Sequence, residues 1–521
     1  MCDYCHTFDQ LEPFYAGAPT AESTWKQVLA ARQDRTISPG IANVVLRQLT
    51  ARNAPTAAIT AAERLRTPGT ITIITGQQAG LFGGPLFTLL KALTCLKLAH
   101  AIARDHRVTV VPVFWVDAED HDLDEIRTCH VLDRNLDPRP VTLEVTARAG
   151  AAASTVRLDA TIAETIAQLR DLLPETEFTA DVMDSLEKTY SEGAGLVEAF
   201  ARWIDMLLGN HGLVVFDASD PTAKPIVRNV FAQELKTPGV TSRLAASAGA
   251  DLVAHGYHAQ VEPQPNTVAL FQLDGTRQPI RCEAGGFSAG VQKFSSTALL
   301  DKVESDPSHF SPNVLLRPIV QDVLFPTVSY VAGPNELAYL GQLRDVYEHF
   351  DVPMPVIYPR ASVTLVDRST LRFLRRHNLN FEELQPRDDA TLNSLIESLL
   401  PEAVERAVTD TNRAIEDQLS ALQTAVPAID PTLTGAVEST RGRMERDLRN
   451  LHSKIIQAAK RRDATLRRQF HRARAQSFPD GEPQERRIGF VYFLNHYGPA
   501  LIERLMTELP LNPGHHSLLT I

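Results

Sequence analysis

Six carboxylates surround one imidazole in Asp117-Ala-Glu-Asp-His-Asp-Leu-Asp-Glu125. A histidine flanked by carboxylates suits general-base work, because its ordinary pKa of about 6.5 lies near working pH and a neighbouring carboxylate orients the ring. The natural task is taking a proton from an attacking amine, with His121 as base and Asp120 or Glu119 beside it. Metal binding is a competing chemistry, although carboxylates that alternate along a chain cannot all converge. A solvated helix start, where the dipole favours acids, is the plain alternative.

A second group lies in Thr75-Gly-Gln-Gln-Ala-Gly-Leu-Phe-Gly-Gly-Pro85. Gly76, Gly80, Gly83 and Gly84 expose backbone N–H groups before a helix N-terminus, a setting for an anionic group such as a nucleotide phosphate. The loop is not a P-loop, since Pro85 stands where Lys-Ser/Thr would follow Gly84, and a tight strand-to-helix turn explains the glycines equally well. The amides of Gln77 and Gln78 offer donors and acceptors to sugar hydroxyls. Arg317, in Leu315-Leu-Arg-Pro318, and Arg360, in Tyr358-Pro-Arg360, are candidates for two-pronged carboxylate binding, against the plain alternative of surface arginines. Cys2-x-x-Cys5-His6 has zinc-like spacing but lacks a second ligand pair in sequence, so no metal is assigned.

These residues need elements to hold them. Ile71-Thr-Ile-Ile74 reads as a strand, residues 86–103 as a helix, and residues 108–116 as a strand buried on both faces. Leu213-Val-Val-Phe216 before Asp217 and Val328-Ser-Tyr-Val331 before Gly333 repeat the arrangement. Four apolar runs that each deliver polar or glycine-rich residues at their C-terminal ends predict an α/β fold, a doubly wound parallel sheet with its crevice outside those ends. Residues 130–205 and 235–310 exceed what such a sheet needs and are read as insertions into a core of residues 1–365.

Residues 366–480 are read as helical. Val408, Ile415 and Leu422 recur every seven residues, Pro427 and Pro431 break the pattern, and Val437, Met444, Leu451 and Ala458 resume it, which predicts an antiparallel helical hairpin. Residues 481–521 are expected to return to the core.

The 521 residues are 44% apolar and 22% charged, an ordinary globular composition large enough for two or three structural units. The N-terminus has no basic region leading into an apolar stretch, and five scattered cysteines suggest no disulfide framework, so the expected location is the cytoplasm, with no membrane association. Net charge is -11, yet residues 441–474 hold twelve Lys or Arg against Glu445, Asp447 and Asp463. That basic arm is either a solvated helical face or a polyanion surface, which leaves a nucleic-acid-binding or scaffolding protein as the alternative function.

Four segments together carry a resemblance: Ile74-Thr-Gly-Gln-Gln-Ala-Gly-Leu-Phe-Gly-Gly-Pro-Leu-Phe87, Val111-Pro-Val-Phe-Trp-Val-Asp-Ala-Glu-Asp-His-Asp122, Asn313-Val-Leu-Leu-Arg-Pro318 and Tyr330-Val-Ala-Gly-Pro-Asn-Glu336. In this order they resemble the BshC family, the cysteine-adding enzymes of bacillithiol biosynthesis, over nearly the whole chain. The resemblance implies a Rossmann-like core with two inserted connecting segments and a C-terminal coiled-coil domain that makes a homodimer. It implies a ligase that joins cysteine to the amine of glucosaminyl malate as an amide. On this reading His121 deprotonates the amine, Gln77 and Gln78 contact sugar or nucleotide, Arg317 or Arg360 receives the malate carboxylates, and Asn335 and Glu336 bind substrate. ATP is the expected source of an activated cysteine carboxyl. The core is similar to that of class I aminoacyl-tRNA synthetases, whose His-Ile-Gly-His signature would fall at residues 76–85, where this chain has no histidine.

Overall fold

Short apolar runs, rich in β-branched residues and too short for helices, pair into a single parallel sheet. Its strands are β1 (Ile71–Gln77), β2 (Val110–Val116), β3 (Val214–Asp217), β4 (Thr327–Ala332) and β5 (Val356–Pro359), hydrogen-bonded side by side in the order β5-β4-β1-β2-β3. β2 and β4 are buried along their whole lengths, as strands covered on both faces must be. The chain runs from β1 outward through β2 to β3, then starts again on the other side of β1 with β4 and β5. The strand order therefore reverses between β1 and β4, and the carboxyl ends of those two strands frame a crevice.

The computed structural model describes residues 2–33, 38–146, 148, 150–398, 402–462 and 464–521. Residues 1–364 and 485–519 form one unit, and residues 365–484 with 520–521 form another. The α/β sheet and the helical region expected from sequence are both present. All four apolar runs read as strands are strands; β5 went unread because prolines bracket it, a placement tolerated at a sheet edge.

Helix α1 (Leu86–His106) follows the glycine loop and packs on β1 and β2. By length and composition it could cross a membrane, but 72% of its most apolar 18-residue stretch is buried, as in a core helix. Between β2 and β3 lie the short helix Leu123–Ile126, a hairpin (Thr128–Leu132 with Pro138–Thr142) and the longer helices Thr161–Leu172, Thr179–Thr189 and Leu196–Leu208. Between β3 and β4 lies a five-stranded antiparallel sheet, in which Arg277–Glu283 pairs with Thr267–Leu273 on one side and Gly286–Ala289 on the other. Residues 488–490 seal the glycine loop: Leu86 N–H donates to Ile488 O at 2.8 Å, and Phe490 N–H to Gly84 O at 3.1 Å.

The helical unit contains Glu402–Ala425 and Leu433–Arg462, separated by the stretch that holds Pro427 and Pro431. Their direction is antiparallel, because His452 meets Glu405 (3.1 Å) while Arg441 meets Gln423 (2.7 Å). Of the residues spaced by sevens, Val408, Ile415 and Val437 are half-buried, whereas Leu422, Met444 and Leu451 stay exposed. Asp463 and the side chains of Lys460, Arg461 and Arg462, which the basic arm includes, lie outside the described residues, as does the side chain of Cys2. Among the described residues no three His, Cys, Asp or Glu are grouped to hold a metal ion.

Candidate active site

A cleft of about 710 Å³ opens at the carboxyl ends of β1 and β4. Its floor is built from residues 76–78 and 333–336; the acidic turn after β2 and the inserted antiparallel sheet supply its walls.

At the floor sits Lys91, the fully buried charge of α1, flanked by Leu89, Leu90, Ala92 and Leu93. Its ammonium is 1% exposed and donates to the carbonyl of Gly76, to Gln77 Oε1 (3.2 Å) and to Glu336 Oε2 (2.6 Å), so its three protons have three acceptors. Glu336 also accepts from Tyr330 OH (2.6 Å) and from Gly333 N–H (2.8 Å). Burial pushes the Lys91 pKa below its ordinary value, while the Glu336 carboxylate pulls the other way. Burial alone would raise Glu336, but Lys91, Tyr330 and Gly333 outweigh it and hold that carboxyl below the usual range. One ion pair thus fastens the end of β1 to the helix after β4, across the point where the strand order reverses.

The acidic turn divides its side chains between structure and cleft. Asp117, Asp120 and Glu125 line the cleft. Gln78 donates to Asp120 Oδ2 at 2.6 Å, and Asp120 Oδ1 accepts the backbone N–H groups of His121 (2.7 Å) and Asp122 (3.3 Å). Those donors overcome the effect of burial and keep the Asp120 pKa below its ordinary value. Asp117 is raised by burial, with Arg317 opposing. Glu125 is also raised, first by burial against the Gln78 hydrogen bond, then by the neighbouring charges of Asp122 and Asp120.

His121 stands apart from that group. Its ring is 46% exposed, Nδ1 is 3.6 Å from Asp120 Oδ1, beyond hydrogen-bond length, and it does not line the cleft. Glu119 points elsewhere, to Lys224 Nζ (2.6 Å) and Ser311 Oγ (3.0 Å), and is buried there. It ties the end of β2 to the second insertion rather than orienting an imidazole.

Three arginines are held inside the cleft wall. Arg317 donates to Tyr339 OH (2.5 Å) and lies 3.7 Å from Asp117. Arg360 is paired with Glu485 at 2.7 Å, gives a further bond to Ala361 O, and lies over the Phe87 ring. Arg277 donates to Pro312 O (2.7 Å), stacks on Phe271 and approaches Asp120 to 3.9 Å. Gln77, Gln78 and Asn335 also line the cleft, with Asn335 exposed at its edge.

Of the four loop glycines, only Gly76 faces the cleft. Gly83 and Gly84 have φ of +95° and +80°; a Cβ on Gly83 would lie 2.1 Å from the Phe490 ring, and one on Gly80 3.0 Å from Gly84 Cα. These glycines make room for neighbouring chain. With Leu86 N–H already bonded to Ile488 O, the residues of this turn do not fit a phosphate cradle.

Sequence reasoning missed Lys91, Arg277 and the tyrosines Tyr330 and Tyr339. A lysine set directly among Leu89, Leu90, Ala92 and Leu93 was the one legible signal, because an ammonium placed there needs built-in acceptors.

Comparison with known proteins agrees with this architecture. Residues 1–361 match the family model described as "Bacillithiol biosynthesis BshC, N-terminal Rossmann-like domain", and residues 363–521 match "Bacillithiol biosynthesis BshC, C-terminal coiled-coil domain". A relative from Salinibacter ruber is 33% identical over 525 residues, covering 100% of this chain and 95% of the relative. One from Chlorobaculum tepidum is 35% identical over 86% of this chain and 82% of its own, and one from Koribacter versatilis is 32% identical over 87% and 84%. All three bear the cysteine-ligase name BshC. Matched by family models along almost its whole length, the chain belongs to the BshC family of bacillithiol biosynthesis.

Proposed function

We propose that this chain is a ligase joining the carboxyl of cysteine to the amine of glucosaminyl malate, the step that yields bacillithiol. The carrying observation is a cleft whose acids, Asp117, Asp120 and Glu125, face the same space as several guanidinium groups. One substrate so described brings an ammonium that must lose a proton and carboxylates that need cations. Amide formation from a free carboxylate in water requires an activated acyl group, and the proposal takes ATP as its source on chemical grounds, with no phosphate seat in the glycine turn.

In the proposed step the amine nitrogen attacks the activated acyl carbon of cysteine. The C–N bond forms, the activating group leaves with its electron pair, and the amine proton passes to a carboxylate. Of the candidate bases, Glu125 fits best: it faces the cleft from its exposed rim, and partial desolvation with the neighbouring charges of Asp122 and Asp120 holds its pKa above the ordinary value, whereas His121 sits outside the lining. Gln78 positions Asp120, and Lys91 with Glu336 keeps the floor in shape. A homodimer formed through the hairpin would cover the exposed Leu422, Met444 and Leu451. The basic arm's charge is partly matched within its own helix, as at Arg441 with Glu438 (3.5 Å), which favours the solvated-face reading.

The test is product formation by purified protein from cysteine, ATP and glucosaminyl malate, followed by thiol derivatisation and chromatography. Glu125→Gln is expected to lower kcat on the order of 100-fold, and His121→Ala only a few-fold. A base with a raised pKa becomes competent only as pH climbs through that raised value. The acid limb of kcat/KM for the parent should therefore lie above the ordinary glutamate value of 4.5, and Glu125→Gln should abolish it. A 100-fold loss in His121→Ala with Glu125→Gln unaffected would move the base to the imidazole. No product from the parent would end the proposal.

A further inference from the structure

The arginines already described are matched by groups of the protein itself. Arg317 has Tyr339 and Asp117, Arg360 has Glu485 and Ala361 O, and Arg277 has Pro312 O, the Phe271 face and Asp120. Two more line the same cleft, Arg281 and Arg486, both exposed and neither hydrogen-bonded nor ion-paired through its side chain among the described residues. They come from distant parts of the sequence, one from the second insertion and one from the segment that follows the helical unit.

The register of the inserted sheet explains why Arg281 faces the cleft. Side chains alternate along a strand. On Arg277–Glu283 the residues Arg277, Pro279 and Arg281 line the cleft, while Ile280 points the other way and is 0% exposed in the core. Arg277 and Arg281 therefore share one face, about 13 Å apart along the strand. Arg277, nine-tenths buried, keeps its Nε without a partner, so this face holds more donors than the protein supplies with acceptors. Glu262 lines the cleft as well but forms no ion pair with either free arginine.

We propose that Arg281 and Arg486 are specificity-determining residues that bind the dicarboxylate part of the amine-bearing substrate, so that the inserted antiparallel sheet selects the acceptor. This rests on the function proposed above. A guanidinium meets a carboxylate with two parallel N–H···O bonds, which a preformed internal partner would prevent; these two are the arginines of the cleft left unencumbered. The acids after β2 are then left to the amine, and the two ends of one substrate are read by opposite charges.

The experiment uses the full chain and L-malate as probe, by calorimetric titration, with ATP titrated in parallel. Arg281→Ala and Arg486→Ala should each weaken malate binding at least tenfold while ATP binding is unchanged, and Arg281→Lys should fall between parent and Ala, since it keeps the charge and loses the fork. Both positions are exposed, so the variants should fold; Arg134→Ala, on an exposed hairpin turn, is the control expected to bind malate as the parent does. In turnover, KM for glucosaminyl malate should rise about tenfold with kcat and the KM for cysteine unchanged. Unaltered malate affinity and KM in both variants would overturn the assignment, as would loss of ATP binding in place of malate binding. A parent that makes product without binding malate sinks this inference alone; one that does neither also sinks the function it rests on.

Discussion

Replacing Lys91 by Met is expected to lower the unfolding free energy by about 3–5 kcal/mol, the usual consequence of removing one partner of a buried ion pair. Met keeps most of the volume, so the loss isolates the ammonium. Gly76 O and Gln77 Oε1 lose their donor, and Glu336 becomes a half-buried carboxylate supported only by Tyr330 OH and Gly333 N–H. Product formation should fall by more than 100-fold even well below the melting temperature, because β1 and the helix after β4 lose the link that fixes the cleft floor. Glu336→Gln should be milder: burial already lowers the Lys91 pKa, and without its counter-charge the amine can shed its proton. The double variant should cost less than the sum of the two singles, since both remove the same contact. Urea denaturation read by tryptophan fluorescence measures each difference. A Lys91→Met protein with the parent's midpoint would mean that the pair holds nothing in place.

Gly83→Ala should be the second large loss, about 2–5 kcal/mol. Two causes add. A residue with a Cβ at positive φ costs roughly 1–2 kcal/mol, and crowding a filled core costs roughly 1–3 kcal/mol. The crowding is specific, since the new methyl would fall 2.1 and 2.3 Å from two carbons of the Phe490 ring. In a Phe490→Ala background that overlap disappears, and Gly83→Ala should then cost only the backbone share. Gly69 provides the comparison: its φ is +77° and a methyl added there would meet nothing within 4 Å, so Gly69→Ala should show the backbone share alone. Equal costs for Gly83→Ala in the two backgrounds would refute the packing account.

Four of the five parallel strands were legible because each is an apolar run too short for a helix and followed by polar or glycine-rich residues. β5 was not, because Pro355 and Pro359 mask it and only its position at the edge makes them tolerable. At the site, the acids after β2 could be read from composition, but not which way each one turns. Glu119 faces Lys224, 105 residues away, and no local pattern announces that partner. Glycine density in residues 76–84 suggested a ligand cradle, whereas packing against Phe490 accounts for Gly83 and a left-handed φ of +80° for Gly84. The arginines of the inserted sheet were hidden for another reason: in a segment rich in turn residues, the two-residue alternation that aims Arg277 and Arg281 at the cleft shows only once the strand is paired.

The bond from Phe490 N–H to Gly84 O also sets a clock on the making of the enzyme. About 400 residues separate its ends, and at roughly 5–20 residues per second a ribosome needs on the order of 20–80 s to deliver the second after the first. Through that interval the turn that begins the cleft has neither its lid of Ile488 and Phe490 nor a partner for Leu86 N–H. This turn is therefore closed only once translation has passed residue 490, although Phe82 can pack against Tyr190 well before then.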